Sequence, residues 1–81
     1  MTYNRSFPRI EKAIELVRDN KVIELEYGRA IVHDLDIPYY VNYTSETCIC
    51  YDNVTNKFKC KHIWAAQFQR QRTVELKLHD R

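Results

Sequence analysis

The side chains best suited to bind a metal ion or to react lie in one short stretch, TCICYDNVTNKFKCKHIW, residues 47–64. It contains all three cysteines and one of the three histidines, spaced as Cys48-x-Cys50, nine residues, and Cys60-x-His62. Cysteine thiolates and histidine nitrogens are the ligands that Zn²⁺ takes in tetrahedral protein sites. The two pairs therefore predict a metal site made of four protein ligands.

Backbone geometry indicates how each pair could reach the same ion. Residues two apart on a strand point to the same side, so Cys48 and Cys50 can bind from a strand or a tight knuckle. Residues two apart in a helix lie about 200° around its axis, so Cys60 and His62 cannot both lie inside a regular helix. We expect Cys60 just before a helix and His62 in its first turn. This arrangement predicts a strand–loop–helix unit closed by one structural Zn²⁺.

The cysteines also permit other interpretations. A disulfide between Cys48 and Cys50 would strain the bond geometry and would need an oxidising compartment. The three cysteines could instead be small buried hydrophobic residues. Cys60 could act as a nucleophile with His62 as its base, but no orienting Asp or Asn accompanies them and the first cysteine pair would have no role.

A catalytic zinc would keep one coordination position open for water, whereas four good ligands indicate a closed site. We therefore expect a protein that is not an enzyme and has no small-molecule substrate. The remaining histidines, His33 and His79, are expected to be surface or hydrogen-bonded polar residues. They would become ligands only if His62 did not bind.

Hydrophobic spacing predicts an α+β fold around this unit. Ile10, Ala13 and Val17 recur at helical spacing, which predicts a helix over about residues 7–19. From Lys21 the apolar residues alternate with polar ones, which predicts a small antiparallel sheet of three to four strands. The predicted strands are 22–27, 29–35, 39–44 and 47–51.

The second half of the chain is predicted to be mainly helical. A second helix is expected over residues 60–71, after a loop at 53–56. The alternation of Val74, Leu76 and Leu78 favours a last strand, with an extension of the helix as the alternative. The whole chain, residues 1–81, is predicted to form a single domain with a ββα-like metal unit.

The pattern C-x-C, a spacer and C-x-H resembles the SWIM-type zinc-finger family. The run CICYDN, followed after the loop by KCKHIWAA, is similar to the family's metal-binding segment, and the resemblance covers about residues 37–70. Many members have Pro after the second Cys, where this chain has Tyr51. The resemblance implies Cys48, Cys50, Cys60 and His62 as the ligands of one Zn²⁺. It also implies a small stand-alone member that binds DNA or proteins and is not catalytic.

Composition limits the class of protein. With 44% hydrophobic and 30% charged residues among 81, the chain is typical of a small globular domain. No apolar run exceeds four residues, and the first residues lack the apolar core of a secretory signal. We therefore expect no membrane association and an intracellular location, in the cytoplasm or in the nucleoid or nucleus.

Charge is distributed unevenly along the chain. Residues 1–47 carry six basic and eight acidic side chains, whereas residues 48–81 carry seven basic and three acidic ones, so the net charges are −2 and +4. A local positive field favours polyanions such as DNA. The candidate nucleic-acid contacts are Lys57, Lys59, Lys61, Arg70 and Arg72, with Tyr51 and Phe58 as candidates for stacking on bases.

An interaction with protein is the alternative function. Trp64 and Phe68 are four residues apart on the predicted second helix, and they could dock on a partner in recombination, transposition or transcription, or on a second copy. Both could equally be part of the core. Salt dependence would separate the two functions, because only binding to phosphates weakens steeply with salt.

Overall fold

The computed structural model describes residues 6–56 and 59–79 and confirms the α+β fold. One helix precedes a four-stranded antiparallel sheet, and two further helices follow it. In chain order the elements are α1 (Ser6–Arg18), β1 (Val22–Glu24), β2 (Arg29–Asp34), β3 (Ile37–Asn42), β4 (Thr47–Cys48), α2 (Tyr51–Asn56) and α3 (Lys61–His79).

Helix α1 begins and ends where its sequence provides the matching local chemistry. Pro8 lies in the first turn, where its missing N–H costs no helical hydrogen bond. At the other end Asn20 adopts a left-handed conformation with φ of 59°. The N–H of Lys21 then donates to the carbonyl of Leu16 at 2.9 Å, which completes a Schellman cap. Along its inner side, Ala13 is completely buried.

The strands follow one another in the order β1-β2-β3-β4, with every pair antiparallel. Val32 lies opposite Val22 and Tyr39, and Val41 lies opposite Ala30 and Cys48. Directly opposed residues share a face of the sheet. These positions therefore form the inner face, which packs under the helices.

Helix α3 joins the two layers of the fold. It packs against α1 and contacts all four strands. Its residues Ile63, Ala65 and Ala66 are completely buried. The small residues at 65 and 66 allow the helix to approach the sheet closely, and this approach positions the start of α3 beside the end of β4.

The tight turns of the sheet need left-handed backbone conformations. Gly28 has φ of 74°, and a Cβ at this position would collide with the side chain of Thr44, which explains why the only glycine stands here. The β2–β3 hairpin closes through Leu35 and Asp36, with φ of 51° and 64°. Two positive φ values in a two-residue loop correspond to a type I′ turn, which usually prefers Asn and Gly.

Two sequence predictions about local structure are wrong. Residues 53–56, expected to be a loop, belong to α2. The last strand expected around Val74 does not form, because α3 continues unbroken to His79 and the helical alternative is correct. The first and fourth strands are also shorter than expected, with three and two residues. Among the described residues, no helix has the length and apolar content needed to cross a membrane.

Candidate metal centre

Four side chains meet between β4, α2 and α3. The ligand atoms of Cys48, Cys50, Cys60 and His62 all lie within 4.8 Å of one another, and all four residues are buried. His62 Nδ1 is 3.7 Å from Cys48 Sγ and 4.0 Å from Cys60 Sγ. Ligands on a tetrahedral zinc lie about 3.8 Å apart for bonds of about 2.3 Å. The cluster therefore has the ligand types and nearly the spacing of a metal site.

The two pairs of ligands lie on different kinds of secondary structure. Cys48 is the last residue of β4, and Cys50 stands immediately before α2, so the first pair spans a knuckle between strand and helix. Cys60 immediately precedes α3, and its carbonyl accepts from Trp64 N–H at 3.1 Å, which starts the helix. His62 is the second residue of α3. This placement of Cys60 and His62 confirms the sequence prediction.

The knuckle is held by a side chain that spacing did not identify. Asn53 Oδ1 in α2 accepts the backbone N–H of Cys48 at 3.1 Å. The carbonyl of Cys50 accepts from Val54 N–H at 3.0 Å, so that α2 begins directly after the second cysteine. The short helix therefore fixes the backbone on both sides of Ile49. Its role is to keep the two cysteine side chains directed at one point.

His62 is oriented from its outer side by Asp34 at the end of β2. Asp34 Oδ2 lies 2.9 Å from His62 Nε2, and because a carboxylate only accepts, the ring donates from Nε2. A neutral ring then has its lone pair on Nδ1, which faces the sulfurs. Carboxylates in this position commonly fix the tautomer of metal-binding histidines. Tyr39 stacks on the same ring at 4.2 Å between centroids with 16° between planes. Neither residue was predicted from the sequence.

Asp34 also binds Lys61, whose Nζ lies 2.9 Å from the same carboxylate oxygen. Burial raises the pKa of Asp34, but hydrogen bonds from Lys61 and His62 outweigh it, and the net pKa lies below the usual value. The carboxylate therefore remains charged at neutral pH. It can accept the Nε2 proton of His62 and offset the positive charge of Lys61.

Hydrogen bonds among the three thiols and their burial shift the thiol pKa values in different directions. The hydrogen bond with Cys48, together with burial, raises the pKa of Cys60 to about 12. The same bond lowers the pKa of Cys48, and burial raises that of Cys50. All three thiols are free of disulfides. A divalent cation between them would stabilise every thiolate at once, as in known thiolate metal sites.

The structure places the predicted nucleic-acid contacts in different environments. Lys59 lies 3.4 Å from Glu46 and 3.7 Å from the centre of the Trp64 ring, and Lys61 is paired with Asp34. Arg70, Arg72 and Tyr51 are exposed. Lys57 and Phe58 lie outside the described residues. The cluster is thus flanked by paired lysines, and the exposed arginines lie further along α3.

The aromatic pair predicted for protein interaction belongs partly to the core. Trp64 and Phe68 are half-buried, lie 5.6 Å apart between ring centres and pack against the buried residues. His33, half-buried in β2, is not a member of the Cys/His cluster, and the side chain of His79 lies outside the described part of the structure. A role of Trp64 and Phe68 in protein binding stays a prediction.

Comparison with known proteins gave no relative. No family model, no curated protein and no solved structure matches this chain.

Proposed function

We propose that Cys48, Cys50, Cys60 and His62 bind one Zn²⁺ whose role is structural. The supporting observation is that four buried ligands of the types zinc prefers surround one point. Thiolate-rich tetrahedral sites select zinc over the harder divalent cations. Because the protein supplies four ligands, no position is left for a substrate or a reactive water. The centre then serves a binding domain and not a reaction.

The proposal includes kinship with SWIM-type zinc fingers. Its support is the order of the ligands and their elements, since C-x-C lies at the end of a strand and C-x-H at the start of a helix. Tyr51 stands where many SWIM members have Pro, and here it becomes the first residue of α2. This difference from the family thus lies in α2, between the two ligand pairs, and does not change any of the four ligands.

We further propose that the domain binds nucleic acid, with DNA as the first candidate. Arg70 and Arg72 are exposed on α3, and no ion pair is found for them within residues 6–56 and 59–79. Tyr51, directly after a ligand, is 82% exposed and offers a ring to an unpaired base. Lys59 and Lys61 already neutralise carboxylates, so they contribute less to phosphate binding than their number suggests.

Titration of the zinc-loaded chain with a duplex and a single-stranded oligonucleotide at two salt concentrations tests this function. Duplex binding should weaken with salt with a log–log slope of about −0.9 for each phosphate contacted. The double variant Arg70→Ala/Arg72→Ala should bind more weakly and with a flatter slope. Lys12→Ala/Arg18→Ala removes the same charge from α1 and serves as the control. Equal losses in both variants, or binding that ignores salt, would contradict the proposal.

Docking of a protein through Trp64 and Phe68 is the second candidate. It has less support because both rings are half-buried and Lys59 lies over the Trp64 ring. One observation favours it: the buried indole N–H of Trp64 has no partner among the described residues, and a rotation of the ring on docking would let it donate to a partner's carbonyl. Binding that is insensitive to salt and lost in a folded Trp64→Phe variant would favour this candidate.

A further inference from the structure

The sheet has a second face, which the described helices do not cover. Ile31 lies opposite Ile23 on β1 and Tyr40 on β3, so these three side chains share the face turned away from the helices. Ile23 is 48% exposed and Tyr40 is 59% exposed. We call this the outer face. It carries an apolar row across three strands where an antiparallel sheet exposed to water usually carries polar residues.

The row continues into a groove at the β4 side of the sheet. Tyr40 and Ile49 line this groove together with Leu25, and its volume is about 350 Å³. Ile49 is 66% exposed and Leu25 is 41% exposed, although each stands next to ordered secondary structure. A contiguous exposed apolar surface of this kind commonly marks a contact with another protein.

The charge of the groove limits the partner. Among the described residues that line it, Arg29 is the only charged one and none is acidic. Its Nε donates to the carbonyl of Glu26 at 3.2 Å and its Cζ lies 5.9 Å from the centre of the Tyr27 ring, while the residue as a whole is exposed. Guanidinium groups bind carboxylates through paired hydrogen bonds. A ligand with aliphatic side chains and a carboxylate at its border complements both features.

Other occupants fit this surface less well. Two copies meeting through the same face would place two Arg29 side chains at one interface, with no acidic residue from the groove to pair with either. Addition of a strand at the sheet edges has little to bind, because β1 has three residues and β4 has two. Among the described residues that line the groove, nucleic acid would find one aromatic ring, that of Tyr40, whereas base stacking uses several rings.

We propose that the outer face is a docking site for an acidic amphipathic segment of a partner protein, which lays aliphatic side chains on Ile31, Tyr40 and Ile49 and places a carboxylate on Arg29. This site does not include the exposed arginines of α3, and it borders the metal centre, because Cys48 also lines the groove. It goes beyond the proposed nucleic-acid function, and either could be wrong without affecting the other.

The experiment uses the zinc-loaded ¹⁵N-labelled chain and two designed helical peptides. One peptide has leucines along one side flanked by glutamates, and the other replaces every glutamate with lysine. The glutamate peptide should shift the amide signals of Ile31, Tyr40 and Ile49 and should bind at least about tenfold more tightly than the lysine peptide. Arg29→Glu should reverse that preference.

A matched pair of variants distinguishes binding in the groove from nonspecific hydrophobic binding. Tyr40→Thr keeps a strand-forming residue and should weaken the glutamate peptide about tenfold or more. Val54→Thr removes an exposed apolar residue from α2, outside the groove, and should leave binding unchanged.

Three results would overturn the proposal. The first is the absence of shifts at millimolar peptide, or equal affinity for the two peptides. The second is that an oligonucleotide, and not the peptide, shifts the same three signals, which would assign the face to nucleic acid. The third is that these signals broaden with protein concentration alone, which would assign it to a second copy of the chain.

Discussion

At the scale of single residues, His62 connects the candidate metal centre to the sheet. Its Nδ1 faces the sulfurs while its Nε2 binds Asp34, and Tyr39 covers the ring. Because all three contacts act on one imidazole, they hold its orientation in the folded chain. A ring held in this way keeps Nδ1 directed at the sulfurs.

Substitution of Asp34 tests this orientation. Asp34→Asn keeps the size of the side chain and an accepting oxygen but removes the charge that stabilises the Nε2 proton. We expect zinc affinity to fall about tenfold, at the lower end of the range for partners of metal-bound histidines. Competition with a chromophoric chelator measures the change. Asp36→Asn, in the exposed turn beside it, is the control and should leave the affinity as it was.

Leu35 has a backbone conformation and a solvent exposure that are both unusual for leucine. It is 89% exposed and has φ of 51°, which is unfavourable for a side chain of this shape. Leu35→Asn should raise the free energy of unfolding by about 0.5–1 kcal/mol, because Asn tolerates this conformation at the first position of a type I′ turn. Thermal unfolding of the zinc-loaded protein would show it as a higher Tm. A lower Tm would mean that the leucine makes a contact that its exposure conceals.

The four candidate ligands could be predicted from the sequence, because C-x-C and C-x-H spacing is itself a constraint on coordination. Asp34 could not, since 28 residues separate it from His62 and only the packing of β2 against α3 brings them together. Asn53 is close in sequence to Cys48, but its role depends on α2 being helical. Residues that orient ligands are therefore less visible in a sequence than the ligands themselves.

At the scale of elements, α2 shows how tertiary contacts override local preference. Its sequence, YDNVTN, is poor in helix-forming residues, which is why residues 53–56 were predicted to be a loop. Arg9 of α1 binds Asp52 with two nearly parallel hydrogen bonds, from Nε at 2.7 Å and from Nη2 at 2.8 Å. Together with the Asn53–Cys48 bond, this contact holds the short helix against the rest of the fold.

Arg9→Ala should therefore loosen α2. The pair is partly buried and bidentate, so we expect the loss of about 1 kcal/mol of unfolding free energy. Lys12→Ala is the control, since Lys12 contacts Glu15 at 3.4 Å in an exposed pair and should change the stability by a few tenths of a kcal/mol. Chemical denaturation of both variants in excess zinc measures the difference. Equal effects would show that the Arg9–Asp52 contact does not anchor α2.

Helix α3 was predicted correctly at its start and wrongly at its end. Alternation of Val74 with Leu76 favoured a strand, yet a strand there would need a neighbour to pair with. From Lys61 onward the helix contains no Gly or Pro to stop it. Thr73 Oγ1 donates to Glu24 at 2.6 Å, which attaches this part of the helix to β1. A short alternating pattern could not reveal this contact with a distant strand.

At the scale of the whole molecule, the residues of the Cys/His cluster form a large part of the buried core. The largest side chains that are almost completely buried are Ile63, His62, Val32 and Cys60, and two of these four are candidate ligands. The remaining core is built mostly from small residues such as Ala13 and Ala30. With 81 residues the chain lies at the limit of about 70–80 residues below which a single core rarely supplies more than about 3–5 kcal/mol.

Zinc binding would contribute more stabilisation than this core supplies. Apparent binding free energies of structural zinc in small finger domains are about 10–16 kcal/mol at neutral pH. We therefore expect binding of the metal and folding to be one process, at least for residues 45–70. Cys60→Ser should prevent both. Ile49→Ser, which alters an exposed residue between two ligands, should bind one Zn²⁺ and fold.

The most direct test compares the amide NMR spectrum of the zinc-loaded chain with the spectrum after complete removal of the metal by a strong chelator. Dispersed signals from β4, α2 and the start of α3 should collapse to the narrow range of an unfolded chain. One equivalent of Zn²⁺, after removal of the chelator, should restore them. A fully dispersed spectrum in the metal-free protein would contradict the account, because the cysteines and His62 would then form a core that needs no metal.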